Sequence, residues 1–230
     1  MKSAFNIAFL FFLFSTNAQI SETITVKAGE DLSAILSSHG LYKFPSFIYG
    51  TVLFKDGTST KAKMNFNVFL NDMQFIDNKG DTLAIDNASL IDSLKLDSNV
   101  FYYQKGYFYI VKDYSDIKLV MQEKINFENV KKGAYGLPSR ASSIDTYGGA
   151  TSGFNSINQY ILNEDIIVKK ETTYRLAYKK FRSEPATRTG FLNVFHDIKK
   201  ETSDFIETNN INFKRESDIK KLFDFCTQHL

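Results

Sequence analysis

A period-two alternation of apolar and polar residues, running from Phe47 to about Val130, restricts this chain more than any other feature. Successive side chains of a strand point to opposite faces, so alternation sets one row against a core and the other toward water. Ala62, Met64 and Phe66 form one such row, and Lys61, Lys63 and Asn65 form the opposite one. Asp56-Gly57, Lys79-Gly80 and Lys105-Gly106 separate the alternating runs, the last between aromatic stretches at residues 100–103 and 107–111. Glycine suits these positions because tight hairpins need positive φ at one or both turn residues. An antiparallel meander of roughly six to eight short strands is expected, rolled into a sheet or a partly open, barrel-like sheet.

The remainder of the chain reads differently. Residues 131–163 carry Gly133, Gly136, Pro138, Gly148, Gly149 and Gly153 among serines and threonines, with little periodicity. Such a stretch buries too little apolar area to offset its ordering entropy, so a Gly/Ser-rich surface loop is expected. Ile166 to Val168 and Tyr174 to Tyr178 read as a strand pair. Leu192, Phe195 and Ile198, followed by Phe205 and Ile206, then predict one broken or two short helices. Ser217 is expected to cap a last helix, on which Ile219, Leu222, Phe223 and Cys226 fall at i, i+3, i+4 and i+7. The fold class is α+β, divided into a leader at 1–18, a short strand and helix at 19–41, an antiparallel β domain at 42–130, the loop at 131–163, and a strand pair with C-terminal helices at 164–230. An outer-membrane barrel would need long strands throughout and a lipid-facing aromatic girdle, which the loop and terminal helices contradict.

Lys2, an apolar run at 4–14 and Thr16-Asn17-Ala18 before Gln19 have the layout of a signal peptide cleaved near Ala18 and Gln19. That apolar run is too short to span a bilayer, so no transmembrane segment is expected in the mature chain. Its location is expected to be periplasmic or extracellular. Cys226 is the one cysteine, which excludes an intrachain disulfide and a lipid-bearing cysteine after the leader. A formal net charge of +2 gives no field of the kind that holds nucleic acid, which is excluded as a partner class. Charge is segregated nonetheless: Asp72, Asp77, Asp81, Asp86 and Asp92 stand against Lys79 alone, while Lys169, Lys170, Arg175, Lys179, Lys180, Arg182 and Arg188 stand against Glu171 and Glu184. Two solvated faces are the expectation, with a docking surface for an anionic envelope polymer, or pairing of the two stretches, as alternatives.

No catalytic constellation emerges. Gly149-Ala150-Thr151-Ser152-Gly153 lacks the spacing of a serine nucleophile elbow. Cys226 and His229 lie at i and i+3, but a cysteine on the apolar stripe of a terminal helix reads as core. His39, His196 and His229 stand apart, without zinc-ligand spacing. Asp77 to Asp81 superficially resembles a calcium loop, yet Gly80 is its fourth residue and Ala88 its twelfth, so a hairpin tip is expected. Tyr147-Gly148-Gly149-Ala150-Thr151 lacks the Lys-Ser/Thr of a P-loop. Paired carboxylates for glycoside hydrolysis can be united only by the fold. The absence of tryptophan argues mildly against a sugar cleft, although Tyr135 and Tyr147 could offer smaller stacking faces. No metal and no cofactor are assigned, and the expectation is a non-enzyme. Candidate binding residues are Tyr135, Arg140 and Tyr147 of the loop, with Lys169, Lys170, Lys179 and Lys180 of the basic stretch. Tyr135, Pro138 and Arg140 would anchor the loop on the sheet or form part of a partner surface.

Two resemblances bear on location. Residues 24–36, ITVKAGEDLSAIL, resemble the opening of a LysM peptidoglycan-binding repeat, although Phe44-Pro45 and the strand from Phe47 intervene before such a repeat could finish. The other reading of that segment is a small strand and helix packed on the sheet. In order from residue 44 to 176, FPSFIYGTVLFKDG, NDMQFIDNKGDTLAI, VFYYQKGYFYI, GAYGLPSRASSIDTY and EDIIVKKETTYRL resemble an uncharacterised family of exported proteins from Bacteroidetes-type Gram-negative bacteria. The family's Phe-Pro-x-Lys turn becomes Phe195-His196-Asp197 here, which implies a smoother helix junction. Asp81-Thr82-Leu83 and Asp92-Ser93-Leu94 also resemble the Asp-Ser/Thr-aliphatic O-glycosylation sites of such bacteria. The resemblance implies a cell-envelope location and supplies no catalytic residues. A binding or scaffolding module is expected, with an envelope protein or polysaccharide as partner. The alternatives are a hydrolase acting on glycan or peptide through carboxylates, and peptidoglycan binding by the LysM-like segment.

Overall fold

Eleven strands share one antiparallel sheet. They are β1 Gln19–Val26, β2 Ile48–Phe54, β3 Ser59–Asn67, β4 Asp72–Ile76, β5 Thr82–Ala84, β6 Ile91–Leu96, β7 Asn99–Tyr103, β8 Tyr107–Tyr114, β9 Ile117–Asn129, β10 Ile166–Tyr178 and β11 Arg182–Pro185. The computed structural model describes residues 19–32, 35–36, 40–129, 165–178 and 182–230. The leader, the loop with Tyr135, Arg140 and Tyr147, and the pair Lys179 and Lys180 lie outside the described residues.

Across the sheet the order is β1-β10-β9-β8-β7-β6-β2-β3-β4-β5, with β11 also paired to β10. β2 lies between β3 and β6, so the chain walks out to β5, returns through a single 3₁₀ turn at Ala88–Leu90, and then walks from β6 to β10. The sheet does not close: β5 ends one side, and β1 and β11 end the other. Gly57 (φ 86°) and Gly80 (φ 91°) sit at the turns where glycine is expected. Asn71 (φ 51°), Asp97 (φ 53°) and Ser115 (φ 50°) make three further turns without glycine; short polar side chains tolerate that region better than others do.

The expected strand pair at the C-terminal end is instead one strand. Ile166 to Val168 and Tyr174 to Tyr178 are the two ends of β10, which pairs with β9 along its whole length. Polar residues Lys169 to Thr173 interrupt the apolar signal but leave the backbone ladder intact. The other edge of β10 is divided, with β1 against Ile166 to Thr173 and β11 against Arg175 to Tyr178. The N-terminal segment is thus an edge strand, and Val26, Leu32 and Leu36 pack with Phe69, Ile166 and Val168.

Inward-facing residues of β2 to β8 form one core, including Met64, Phe66, Met73, Leu94, Leu96, Phe101 and Tyr107. Three helices, α1 Arg188–Val194, α2 Lys199–Thr208 and α3 Glu216–Gln228, cover β9 and β10. Phe191, Phe195 and Phe223 press on Leu119, Met121, Tyr174 and Leu176 there. Burying each ring is worth roughly 1.5–3 kcal/mol. The Thr187 hydroxyl caps α1 by accepting from Gly190 N at 3.2 Å. Even without proline the chain breaks after α1: Phe195, at φ −102° and ψ 48°, leaves the helical region and a 3₁₀ turn at His196–Ile198 follows. The last helix starts at Glu216 after Arg215, two residues before the first expected helical residue, and Ser217 is no cap. Glu216 and Asp218 instead place negative charge at its positive end. No described helix is long and apolar enough to cross a membrane.

Candidate functional site

Lys43 lies in the segment just before β2, where Lys43 N donates to Phe66 O at 2.9 Å and Tyr42 bridges to Asn67. Asn65 clamps that segment by accepting from Phe44 N at 3.1 Å and donating to Phe44 O and Ser46 O. Asn65 was expected on the wet row with Lys61 and Lys63, but it is 1 % exposed because the crossing segment covers it. Held this way, Lys43 Nζ reaches Glu123 Oε2 on β9 at 2.7 Å, while Lys170 Nζ on β10 reaches Glu123 Oε1 at 3.0 Å. Burial alone would raise the Glu123 carboxyl, yet the two ammonium groups outweigh it and hold the group below the usual carboxylate range. Nearby, the Tyr174 hydroxyl donates to Glu216 Oε2 at 2.9 Å, and Lys220 pairs with Glu216 Oε1. Glu216 is likewise lowered, burial being outweighed by Lys220 and Tyr174. This network is neutralised charge that joins β9, β10, α3 and the crossing segment.

The basic stretch is not one surface. Lys170 shares the inward face with Val168 and Tyr174, since residues two apart on a strand share a face. Lys169 points the other way and pairs with Glu171 at 2.9 Å. Arg175 donates to Ser183, and Arg188 to Ser203 and Glu207. Among the described residues, the ion pairs of this stretch run to Glu123, Glu171 and Glu207, and not to the aspartates between 72 and 92.

A second feature was not legible in the sequence. A cleft of about 470 Å³ opens between the β3–β4 turn (Leu70 to Asp72), residues 85 and 87–89 before β6, and the β7–β8 turn (Tyr103, Lys105 to Tyr107). Its volume falls in the range of about 300–1,000 Å³ usual for small-molecule sites. Tyr107 is 2 % exposed, yet its hydroxyl has no hydrogen-bond partner among the described residues, and Asn71 Oδ1 has none either. Asn71 Nδ2 lies beside Gly106, 3.4 Å from where a Cβ would stand. Burial raises the Asp72 carboxyl despite a hydrogen bond from Met73 N. Burial, and then the Asp72 and Tyr103 charges, push the Tyr107 phenol well above its ordinary value. Tyr103 and Tyr107 meet edge to face, with ring centroids 5.1 Å apart. Buried polar atoms are nearly always bonded in native proteins; these two, closed off from solvent, are exceptions. The Lys105-Gly106 turn is a local signal; its meeting with Asn71 and residues 87–89 is not.

Reactive groups elsewhere are engaged. Burial pushes the Cys226 thiol up to about 11, and Thr202 Oγ1 lies 3.6 Å from its sulfur. The His229 ring contacts Phe225 O at 2.8 Å and stacks near the Phe225 ring. Asp77 Oδ1 accepts from Lys79 N and Asp81 N, which makes the segment the tip of the β4–β5 hairpin. Among the described residues, no three His, Cys, Asp or Glu side chains gather as metal ligands would. No family model matches the chain, nor does any curated protein or solved structure.

Proposed function

We propose that this chain is a non-enzymatic binding protein of the cell envelope, which holds a small polar ligand in the cleft between Asn71 and Tyr107. The cleft itself, lined by Asn71, Asp72, Tyr103, Lys105 and Tyr107, carries the reading. The signal-like start, Lys2 with the apolar run at 4–14 and Thr16-Asn17-Ala18, supports export to the periplasm or beyond. Hydrolysis through paired carboxylates would need a protonated acid beside an ionised base. Glu123 and Glu216 are both held ionised, and Asp72 is the one carboxylate lining the cleft. The LysM-like segment at 24–36 begins with the last three residues of β1, whose backbone is engaged by β10, so the cleft is preferred as the contact surface.

The test is a titration of the purified chain, labelled at tyrosine for NMR, with small neutral, cationic and anionic solutes. Saturable shifts at Tyr103 and Tyr107 with the solute recovered unchanged are expected. Chemical turnover of a solute would overturn the non-enzymatic reading, and unmoved tyrosine signals would overturn the cleft. Export is checked by N-terminal sequencing after cell fractionation. Material starting at Gln19 outside the cytosol is expected, and material retaining Met1 in the cytosol counts against it.

A further inference from the structure

Two charges of opposite sign line the cleft, and the protein neutralises neither. Asp72, at the start of β4, is half-buried, and that burial raises its carboxyl. Lys105, on the β7–β8 turn across the cleft, is exposed at the mouth with Asn87 and Ser89. Among the described residues neither Asp72 nor Lys105 forms an ion pair, with the other or with a third group. A carboxylate that has lost part of its hydration and has no counter-charge is disfavoured, and a cation brought to it offsets that penalty. A simple amine would leave Lys105 unmet, and a simple anion would face Asp72. The lining carries one charge of each sign, so an occupant with no net charge and two charged ends matches it. Leu70, Ile85, Ala88 and the Tyr103 ring supply apolar contact between those ends. The Tyr107 hydroxyl and Asn71 Oδ1 are closed off from solvent and take no part.

Resting on the binding function proposed above, we infer that the cleft takes a small zwitterion of the amino-acid class, a free amino acid or a dipeptide. Its ammonium end donates to the Asp72 carboxylate, the deeper of the two charges. Its carboxylate end accepts from Lys105 at the mouth, where Asn87 and Ser89 add neutral polar contacts. Its C–H groups lie against the Tyr103 ring and the aliphatic wall. Asp72 is the stronger of the two anchors, because an ion pair withdrawn from water is screened less than one at the surface.

The experiment titrates the purified full chain, by calorimetry and by tyrosine NMR, with alanylalanine and three comparison probes. N-acetyl-alanylalanine keeps only the negative end, alanylalaninamide keeps only the positive end, and glucose has neither. Alanylalanine is expected to bind saturably and to move the Tyr103 signal. Acetylating its amine is expected to weaken it about tenfold to a hundredfold, the range for a charge-assisted hydrogen bond. Amidating its carboxylate is expected to cost only about twofold to fivefold, as for an exposed pair. Asp72→Asn and Lys105→Met should reproduce those two losses on the protein side, with melting temperatures showing the fold intact. Should either variant not fold, the capped peptides make the same comparison on the unaltered chain. If glucose or a singly charged probe moves Tyr103 and alanylalanine does not, the zwitterion assignment is overturned and the binding function stands. If no probe moves it, both fall. Alanylalanine binding that capping its ends, or the folded variants, leave unchanged also overturns the assignment to Asp72 and Lys105.

Discussion

Lys43 and Glu123, eighty positions apart, meet at 2.7 Å across the inward face of the sheet. Lys43 leaves the backbone where Asn65 and Phe66 clamp the crossing segment, and Glu123 sits mid-strand on β9 between Met121 and Ile125. The contact ties the start of β2 to β9, which are not neighbours in the sheet.

Replacing Lys43 with Met removes one of the two ammonium groups on a carboxylate that is nearly buried. Charge-assisted hydrogen bonds are worth about 1.5–3 kcal/mol, and a loss of that size in urea denaturation is expected for Lys43→Met. An unchanged midpoint would mean that the pair is structurally idle.

The same pair sets an acid limit. The folded Glu123 carboxyl lies below its ordinary 4.5, so the stability it contributes is present above that value and lost as pH falls through the lower, folded value. Wild-type stability should therefore fall below about pH 4.5, and Glu123→Gln should flatten that part of the curve. Denaturation midpoints measured at stepped pH decide this; equal slopes in the two proteins would refute it.

Tyr107→Phe should raise the stability of the ligand-free protein. It deletes a buried hydroxyl that has no partner, relieving up to about 1 kcal/mol while leaving the ring packed against Phe66 and Tyr103. A destabilised variant would show that the hydroxyl is bonded in solution.

Gly190→Ala tests the docking of the helices. A Cβ at that position would stand 1.9 Å from Pro185 O, a backbone atom that cannot swing aside. Overpacking of this kind costs about 1–3 kcal/mol, read as a lower denaturation midpoint with α1 displaced from β11.

Cys226 should react with a thiol reagent only through global unfolding. Its sulfur is fully buried, and its pKa of about 11 leaves little thiolate at neutral pH. Labelling rates that track denaturant stability are expected; rapid labelling of the native protein would contradict this.

The meander was legible because its signals are local. Alternation at residues 61–64 and glycine at 57 and 80 are readable within a few residues, and the structure uses them as read. Turns at Asp97 and Ser115 escaped because no glycine marks them. β10 was divided in two because Lys169 to Thr173 break the apolar rhythm, although parity alone places Lys170 on the face of Val168 and Tyr174. Asn65 was misplaced because its cover comes from residues 44–46, outside any window centred on β3. The cleft depends on three turns brought together by the return of β6 to β2, a pairing between distant strands that no local pattern encodes.

That β10 is the partner of β1 has a consequence in time. Gln19, at the start of β1, pairs with Thr173, so the first strand to emerge during synthesis has no mate until most of the polypeptide has followed. Long-range pairing of this kind is slow. The sheet from β2 to β9, whose neighbours lie close along the chain, can assemble first, and β1 is added last as its outer rail.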